Sequence, residues 1–149
     1  MKTCFFIGHR DAPEALRPRL QTEVERQITE KGVMRFVVGR YGCFDAMAAD
    51  AVRTAKQKYP AVRLELLLPY HPAERPVETP PGFDGTYYPF EKPVPSRVAI
   101  VRANQQMIRQ CHSLIAYAVH PGNARIFVEQ AQKRADAGKL DLVNLGEGN

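Results

Sequence analysis

The 149-residue chain is long enough for one domain with a sizeable buried core, and its net charge is +5. Hydrophobic residues make up 44% and charged residues 25%, which excludes a disordered or fibrous protein. No apolar run approaches the roughly 20 residues that a membrane helix needs. The apolar start of the chain ends at Gly8-His9-Arg10, which indicates a first strand rather than a signal peptide. We therefore expect a cytoplasmic protein.

Cysteine and charge patterns narrow the expected ligands. The three cysteines, Cys4, Cys43 and Cys111, are far apart and lack metal-ligand spacing, so neither a disulfide framework nor a zinc site is expected. We expect no metal site, with magnesium only as a companion of a bound phosphate. Fourteen of the 21 basic residues are arginine, which suits phosphate or carboxylate contacts. They form no run, so an anionic small molecule is expected rather than nucleic acid.

Strand-like apolar runs alternate with helix-like segments in the first half of the chain, a pattern typical of βαβ units. The predicted elements are a strand at 3–7, a helix from about Pro18 to Glu30 with a looser turn from Asp11, a strand at 34–38, a helix from the loop at 39–45 to about Lys58, and a strand at 62–68. Gly32 is expected to end the first helix.

The second half begins with a segment, 69–95, that holds most of the twelve prolines and is predicted to be one long irregular loop. A short strand is expected within it near 86–89. The nearby aromatic residues Tyr87, Tyr88 and Phe90 should pack the loop against the rest of the domain. The remaining predicted elements are a helix capped by Ser96 and ending near Gln110, a strand at 114–119, a helix from Ala124 to about Ala137, and a strand at 140–145. The prediction is a Rossmann-like three-layer α/β sandwich, 1–149, with a central mostly parallel sheet.

Ligands of open parallel sheets bind beyond the carboxyl ends of the strands, where the strand order reverses. Three loops that follow predicted strands carry glycine, which lets a backbone approach a phosphate, and two of them lead into helix N-termini. Asn104 is the one polar residue on an otherwise apolar helix face. The candidate ligand-binding residues are Gly8, His9, Arg10, Gly39, Arg40, Gly42, Asp45, Tyr70, Asn104, Gly122 and Asn123.

Each candidate also has an ordinary structural explanation. Asp45, in the spacing Gly39-x-x-Gly42-x-x-Asp45, is expected in the first turn of a helix, where a carboxylate caps the free N–H groups. Arg10 can hold a phosphate, or pair with Asp11 or Glu14 on the surface, and His9 can shuttle a proton. Tyr70 can stack on a base, or belong to a proline-stiffened connection.

Several of these segments together resemble a known group. Ile7-Gly8-His9-Arg10, then Gly39-x-x-Gly42-x-x-Asp45-x-x-Ala48, Leu68-Pro69-Tyr70 and the strand, loop and helix at 114–129 look like the SLOG superfamily. That superfamily unites the DNA-processing Smf/DprA proteins and the LOG nucleotide phosphoribohydrolases, and the chain looks most similar to its small YpsA-like bacterial members. The resemblance implies a Rossmann-like fold and a nucleotide or nucleotide-derived ligand, in a sensor-like or signalling role.

The resemblance leaves three functions open. In the loop where LOG enzymes carry Pro-Gly-Gly-x-Gly-Thr-x-x-Glu, this chain matches at Pro121, Gly122 and Glu129 only. The main expectation is nucleotide binding. A phosphoribohydrolase, with Glu129 as acid or base and Arg10 holding the phosphate, is one alternative, and Glu129 can equally be an exposed residue paired with Lys133. Single-stranded DNA binding, as in DprA relatives, is the other. A homodimer is a plausible assembly.

Overall fold

The protein is represented by a computed structural model that describes residues 1–146. Its strands are β1 (Lys2–Gly8), β2 (Val33–Val38), β3 (Arg63–Leu67), β4 (Gly85–Tyr87), β5 (Ser113–Tyr117) and β6 (Asp141–Asn144). Its helices are α1 (Arg17–Lys31), α2 (Cys43–Lys58), α3 (Ala99–Gln110) and α4 (Asn123–Asp136), and 3₁₀ turns at Glu14–Leu16 and Ser96–Val98 precede α1 and α3. None of these helices is long and apolar enough to cross a membrane.

All six strands are parallel and lie in the order β4-β3-β2-β1-β5-β6. The chain therefore builds outward from β1 in one direction as far as β4, and then returns to the other side of β1 with β5. This reversal makes the β1/β5 boundary the switch point of the sheet, where the loops that leave the two strands diverge. The predicted three-layer Rossmann-like architecture is confirmed.

Two apolar layers hold the helices to the sheet. One contains the inward faces of α1 and α2, with Leu20, Val24 and Val52 fully buried, and the other contains those of α3 and α4, with Met107 and Ala131 fully buried. Helix residues at spacings of three and four supply both layers, since those positions share one face. Strand side chains alternate between the layers: Phe6 belongs to the first and Phe5 to the second.

The element boundaries differ from the predictions by a few residues. The strand predicted at 114–119 ends at Tyr117, because the backbone beyond it turns to meet His9. The short strand predicted near 86–89 is β4, Gly85–Tyr87. Ser96 does not cap α3: it begins a 3₁₀ turn and makes no side-chain capping hydrogen bond. Gly32 ends α1 as predicted, in the left-handed conformation with φ of 72°.

The long segment between β3 and α3 is irregular apart from β4 and is held by its aromatic residues. Tyr87 and Phe90 pack against the layer below α3 and α4, as predicted. Tyr88 contacts His71 and Phe90 edge-on and donates a hydrogen bond to the carbonyl of Lys92. Asp84 ties the segment to β3, because it accepts hydrogen bonds from the Leu64 N–H and from Lys56 at 2.8 Å each.

One contact decides how closely α2 approaches β1. Gly8 faces the fully buried ring of Phe44, and a Cβ on Gly8 would overlap that ring. We expect Gly8→Ala to lower the free energy of unfolding by about 1–3 kcal/mol, the usual cost of overpacking a core. At roughly 2–4 °C per kcal/mol, thermal denaturation should show a drop of several degrees.

The matched control is Gly85→Ala, because a Cβ on Gly85 would meet only an Arg63 nitrogen at 3.5 Å, an ordinary contact. We expect the melting temperature of this variant to stay close to that of the parent chain. Equal losses in the two variants would contradict the assignment of Gly8 to a close-packed contact.

Candidate functional site

A cavity of about 380 Å³ opens at the switch point, above the carboxyl end of β1. Four parts of the chain line it: the end of β1 and the loop after it, the loop from β2 into α2, the loop from β5 into α4, and the first half of α3. Its volume lies within the range of small-molecule sites. The lining residues are Phe5, Phe6, Ile7, Gly8, His9, Arg10, Asp11, Gly39, Tyr41, Gly42, Asp45, Ile100, Val101, Asn104, His120, Gly122, Asn123, Ala124 and Phe127.

Most of the predicted ligand-binding residues lie on this cavity, namely Gly8, His9, Arg10, Gly39, Gly42, Asp45, Asn104, Gly122 and Asn123. Three predicted site residues do not line it. Arg40 is exposed outside the cavity, and Tyr70 lies beneath Arg75, whose guanidinium is 3.7 Å from the centre of the tyrosine ring. Glu129 is exposed on α4, and among the described residues it has no ion pair with Lys133.

The loop after β1 is fixed to the start of α2 by direct backbone contact. The Cys43 N–H donates a 2.8 Å hydrogen bond to the Arg10 carbonyl, and a Cβ on Gly42 would lie 2.5 Å from the Arg10 Cα. Gly8 and Gly42 thus make room for close packing of protein on protein, and both also line the cavity, so their predicted contact with a ligand stays a prediction. Arg10 itself is exposed and lines the cavity.

Arg10 has no ion-pair partner within residues 1–146. Its predicted surface partners are engaged elsewhere: Asp11 lies 3.6 Å from His120, and Glu14 pairs with Arg17. An exposed, unpaired guanidinium on the wall of a cavity is well suited to an anionic ligand, because its planar fork matches phosphate oxygens.

His9 has a structural part in this site. Its Nε2 accepts hydrogen bonds from the backbone N–H groups of Val119 and His120, at 2.9 and 3.3 Å, so the proton of the neutral ring lies on Nδ1. The His120 ring stacks on it at 3.6 Å. Burial, and then His120, lower the pKa of His9. Protonation would break both backbone bonds, which disfavours the proton shuttle suggested by the sequence.

The N-termini of α2 and α4 are built alike but differ in charge. Each begins after a glycine N-cap, Gly42 and Gly122, and Gly122 holds a φ of 149° that other residues rarely adopt. The third residue of α2 is Asp45, whose Oδ2 accepts a 2.9 Å hydrogen bond from the Tyr41 N–H. The third residue of α4 is Arg125, and no acidic residue lies in that first turn.

This difference makes α4 the better anion site. Asp45 lies in the first turn of α2, where its carboxylate offsets the positive end of the helix dipole, but it makes no capping hydrogen bond to the helix N–H groups and accepts from the Tyr41 N–H instead. The first N–H groups of α4, at Asn123, Ala124 and Arg125, have no hydrogen-bond partner in the described part of the chain. An anion in the cavity can accept from these N–H groups and from Arg10.

The α3 side of the cavity is apolar and carries one amide. Ile100 and Val101 at the start of α3 are exposed hydrophobic residues, and Phe127 of α4 lines the same cavity. Asn104, one turn further along α3, has no hydrogen-bond partner among residues 1–146. An apolar wall with a free amide is suited to a flat, partly polar group such as a nucleobase.

Sequence patterns did not identify Tyr41, His120, Ile100 and Val101 as site residues. Only the tertiary structure brings α3 over the switch point, so no local pattern distinguishes Ile100 and Val101 from core residues. His120 directly follows a predicted strand, and that position alone was a usable indication. No group of three or more His, Cys, Asp and Glu within the described residues could hold a metal ion.

No protein-family model matches this chain, and no curated protein matches it. Among solved structures, DNA processing protein A (DprA) from Streptococcus pneumoniae superposes with a TM-score of 0.63 at 13% identity, over 97% of this chain and 59% of that one. DprA from Helicobacter pylori, described by its single-stranded DNA binding mode, gives 0.61 at 15% identity, over 95% and 64%.

The chain has the DprA fold. It spans about three fifths of the length of these DprA chains. The fold expected from the SLOG resemblance is therefore confirmed, while a closer relationship to the YpsA-like group stays a prediction. The expectation that nucleic acid is not a partner receives no support, since one of the two similar proteins is described by DNA binding.

Burial raises the pKa of Asp45 to about 6, and the Tyr41 N–H only partly offsets this. The folded state is therefore stabilised below the ordinary pKa near 3.8 and loses that stability as the pH rises through 6. Asp45→Asn keeps an oxygen for Tyr41 and removes the buried charge. We expect it to raise the free energy of unfolding at pH 7.5 by roughly 1–2 kcal/mol, allowing for partial solvation.

Thermal melts at pH 7.5 and pH 4 measure this effect. The gain of the Asp45→Asn variant should be a few degrees at pH 7.5 and should vanish near pH 4, where the wild-type carboxyl is protonated as well. Asp136→Asn, at an exposed position on α4, should change stability little at either pH. An equal gain from Asp45→Asn at both pH values would contradict a buried charge as the cause.

Proposed function

We propose that this protein binds a nucleotide-type ligand in the cavity at the switch point, with the phosphate at the N-terminus of α4 and the base against α3. The observation that carries the proposal is the convergence of the uncapped α4 N-terminus and the unpaired Arg10 on one cavity. Free N–H groups and an arginine fork together favour a phosphate. The apolar wall at Ile100 and Val101, with Asn104 beside it, suits the base.

The geometry favours binding over hydrolysis. Glu129, the acid or base expected from the LOG resemblance, is exposed and does not line the cavity. The carboxylates that line the described cavity are Asp11 and Asp45. Of the two, Asp45, with a pKa of about 6, is the better suited to proton transfer near neutral pH. We therefore favour a sensor-like binding domain, in a cytoplasmic and dimer-forming protein.

Single-stranded DNA binding is the second candidate, and a surface beside the cavity favours it. Tyr41 lines the cavity and is 38% exposed. Burial and then the neighbouring Tyr70 raise the pKa of Tyr41, while Arg40 and Arg75 act in the opposite direction, so these four side chains share one neighbourhood. Aromatic rings interleaved with arginines are typical of surfaces on which successive bases stack. DprA from Helicobacter pylori, which has this fold, is described as binding single-stranded DNA.

A thermal-shift screen of the purified protein tests the first candidate. The probes are nucleoside mono-, di- and triphosphates, nucleotide sugars, ADP-ribose and cyclic nucleotides. A ligand at 100 times its dissociation constant stabilises by about 2.7 kcal/mol, or roughly 5–10 °C for a chain of this size. We expect Arg10→Ala to weaken a hit about tenfold to a hundredfold, the value of a charge-assisted hydrogen bond.

The control is Arg109→Ala, which removes an exposed arginine near the far end of α3 and should leave affinity unchanged. A hit that survives Arg10→Ala would disprove the assigned phosphate position. Fluorescence anisotropy with labelled oligo(dT) decides between the two candidates. Tight binding that falls steeply with salt and weakens in Tyr70→Ala, together with a flat nucleotide screen, would establish the DNA-binding function instead.

A further inference from the structure

Asp45 has a half-satisfied carboxylate that faces the cavity. Its Oδ2 accepts the hydrogen bond from the Tyr41 N–H at 2.9 Å, and Gly39 lies so close that an added Cβ would be 3.1 Å from the same oxygen. Its Oδ1 has no partner within residues 1–146, and no lysine or arginine there forms an ion pair with the group. Asp45 is half-buried on the wall of the cavity, so a ligand that enters displaces the water at this oxygen and must supply a hydrogen-bond donor in its place.

The chemistry of the missing donor follows from the surroundings of Asp45. A phosphate is excluded, because two negative groups at hydrogen-bond distance repel each other in a poorly solvated site. A nucleotide offers neutral donors in two places: the hydroxyls of its sugar and the amino groups of its base. Asn104 lies on the apolar α3 wall and offers both a donor and an acceptor to a base edge. Asp45 lies on another wall of the cavity, at the start of α2. With the base assigned to Asn104, the donors that remain for Asp45 are the hydroxyls of the sugar.

We propose that Asp45 accepts hydrogen bonds from the sugar hydroxyls of the bound nucleotide, so that the cavity selects ligands with an intact ribose diol. This inference rests on the nucleotide-binding function proposed above and names the ligand class of that same cavity. A site in which the bound ligand covers an acceptor rejects analogues that lack the matching hydroxyl, because the covered acceptor is then left without a donor.

Because Asp45 changes its protonation state with pH, the preference for a ribose hydroxyl should depend on pH as well. Above a pH of about 6 the carboxylate is a pure acceptor, and below that pH the protonated group loses its charge and most of its advantage for a hydroxyl donor. The other groups that face the cavity and titrate or carry charge are His9, Arg10 and Asp11 after β1, Tyr41 after β2, and His120 after β5. They are unchanged in an Asp45→Asn variant, which isolates the contribution of Asp45.

The experiment is calorimetric titration of the wild-type protein and of Asp45→Asn at pH 7.5 and pH 5. The probes are the ribonucleotide that gives the largest thermal shift in the screen and its 2′-deoxy, 3′-deoxy and 2′,3′-dideoxy analogues. The measured quantity is the ratio of dissociation constants between analogue and ribonucleotide, from which changes in phosphate ionisation cancel. Melting curves of Asp45→Asn, expected to match or exceed those of the wild type, show that the variant is folded.

At pH 7.5 we expect the wild type to prefer the ribonucleotide over the dideoxy analogue about tenfold to a hundredfold. The ratio should fall toward one at pH 5, and it should be small at both pH values in Asp45→Asn. A ratio near one in the wild type at pH 7.5, or an equally large ratio in Asp45→Asn, overturns the inference and leaves nucleotide binding intact. A screen in which no nucleotide binds overturns the proposed function itself, and the inference with it.

Discussion

The geometry of the site depends on the close contact between the loop after β1 and the start of α2. At this contact Gly8 makes room for the Phe44 ring, and Gly42 makes room for the Arg10 backbone. The hydrogen bond from the Cys43 N–H to the Arg10 carbonyl closes it at 2.8 Å. With α2 fixed in this way, its first turn lies beside the cavity, and Arg10 and Asp45 both line it. A side chain at either glycine would push the loop and helix apart and widen the space between them.

Sequence periodicity was sufficient for the fold but not for the complete site. Buried strands such as Phe36–Val38 are apolar on both faces, and each is followed by a helix with a clear apolar stripe, so the βαβ order and the edge that carries the site could be predicted. Asn104 was found because it interrupts an apolar helix face. Glu129 is off the buried face formed by Ala124, Phe127, Val128 and Ala131, and this spacing alone argues for an exposed position.

The rest of the site depends on distances that no local pattern encodes. The approach of a phosphate and the close packing observed at Gly8 and Gly42 require the same residue type, and only the positions of Phe44 and Arg10 in the structure reveal the packing. The sequence position of His9 is equally compatible with a proton carrier, and only the tertiary structure brings the Val119 and His120 N–H groups to its Nε2. Tyr70 and Arg40 follow strands β3 and β2, yet they lie beside the cavity and do not line it.

The unequal N-termini of α2 and α4 determine which way a nucleotide must lie. Two unit charges 4 Å apart interact by about 4 kcal/mol at an effective dielectric constant of 20. Repulsion of this size between a phosphate and the Asp45 carboxylate would cancel the net binding free energy of several hydrogen bonds. At α4 the corresponding position is Arg125, and no carboxylate lies in the first turn of that helix to offset its dipole. The two ends of the cavity therefore prefer opposite kinds of group. A ligand with an anion at one end and neutral donors nearby satisfies both, and a polyanion laid across Asp45 does not.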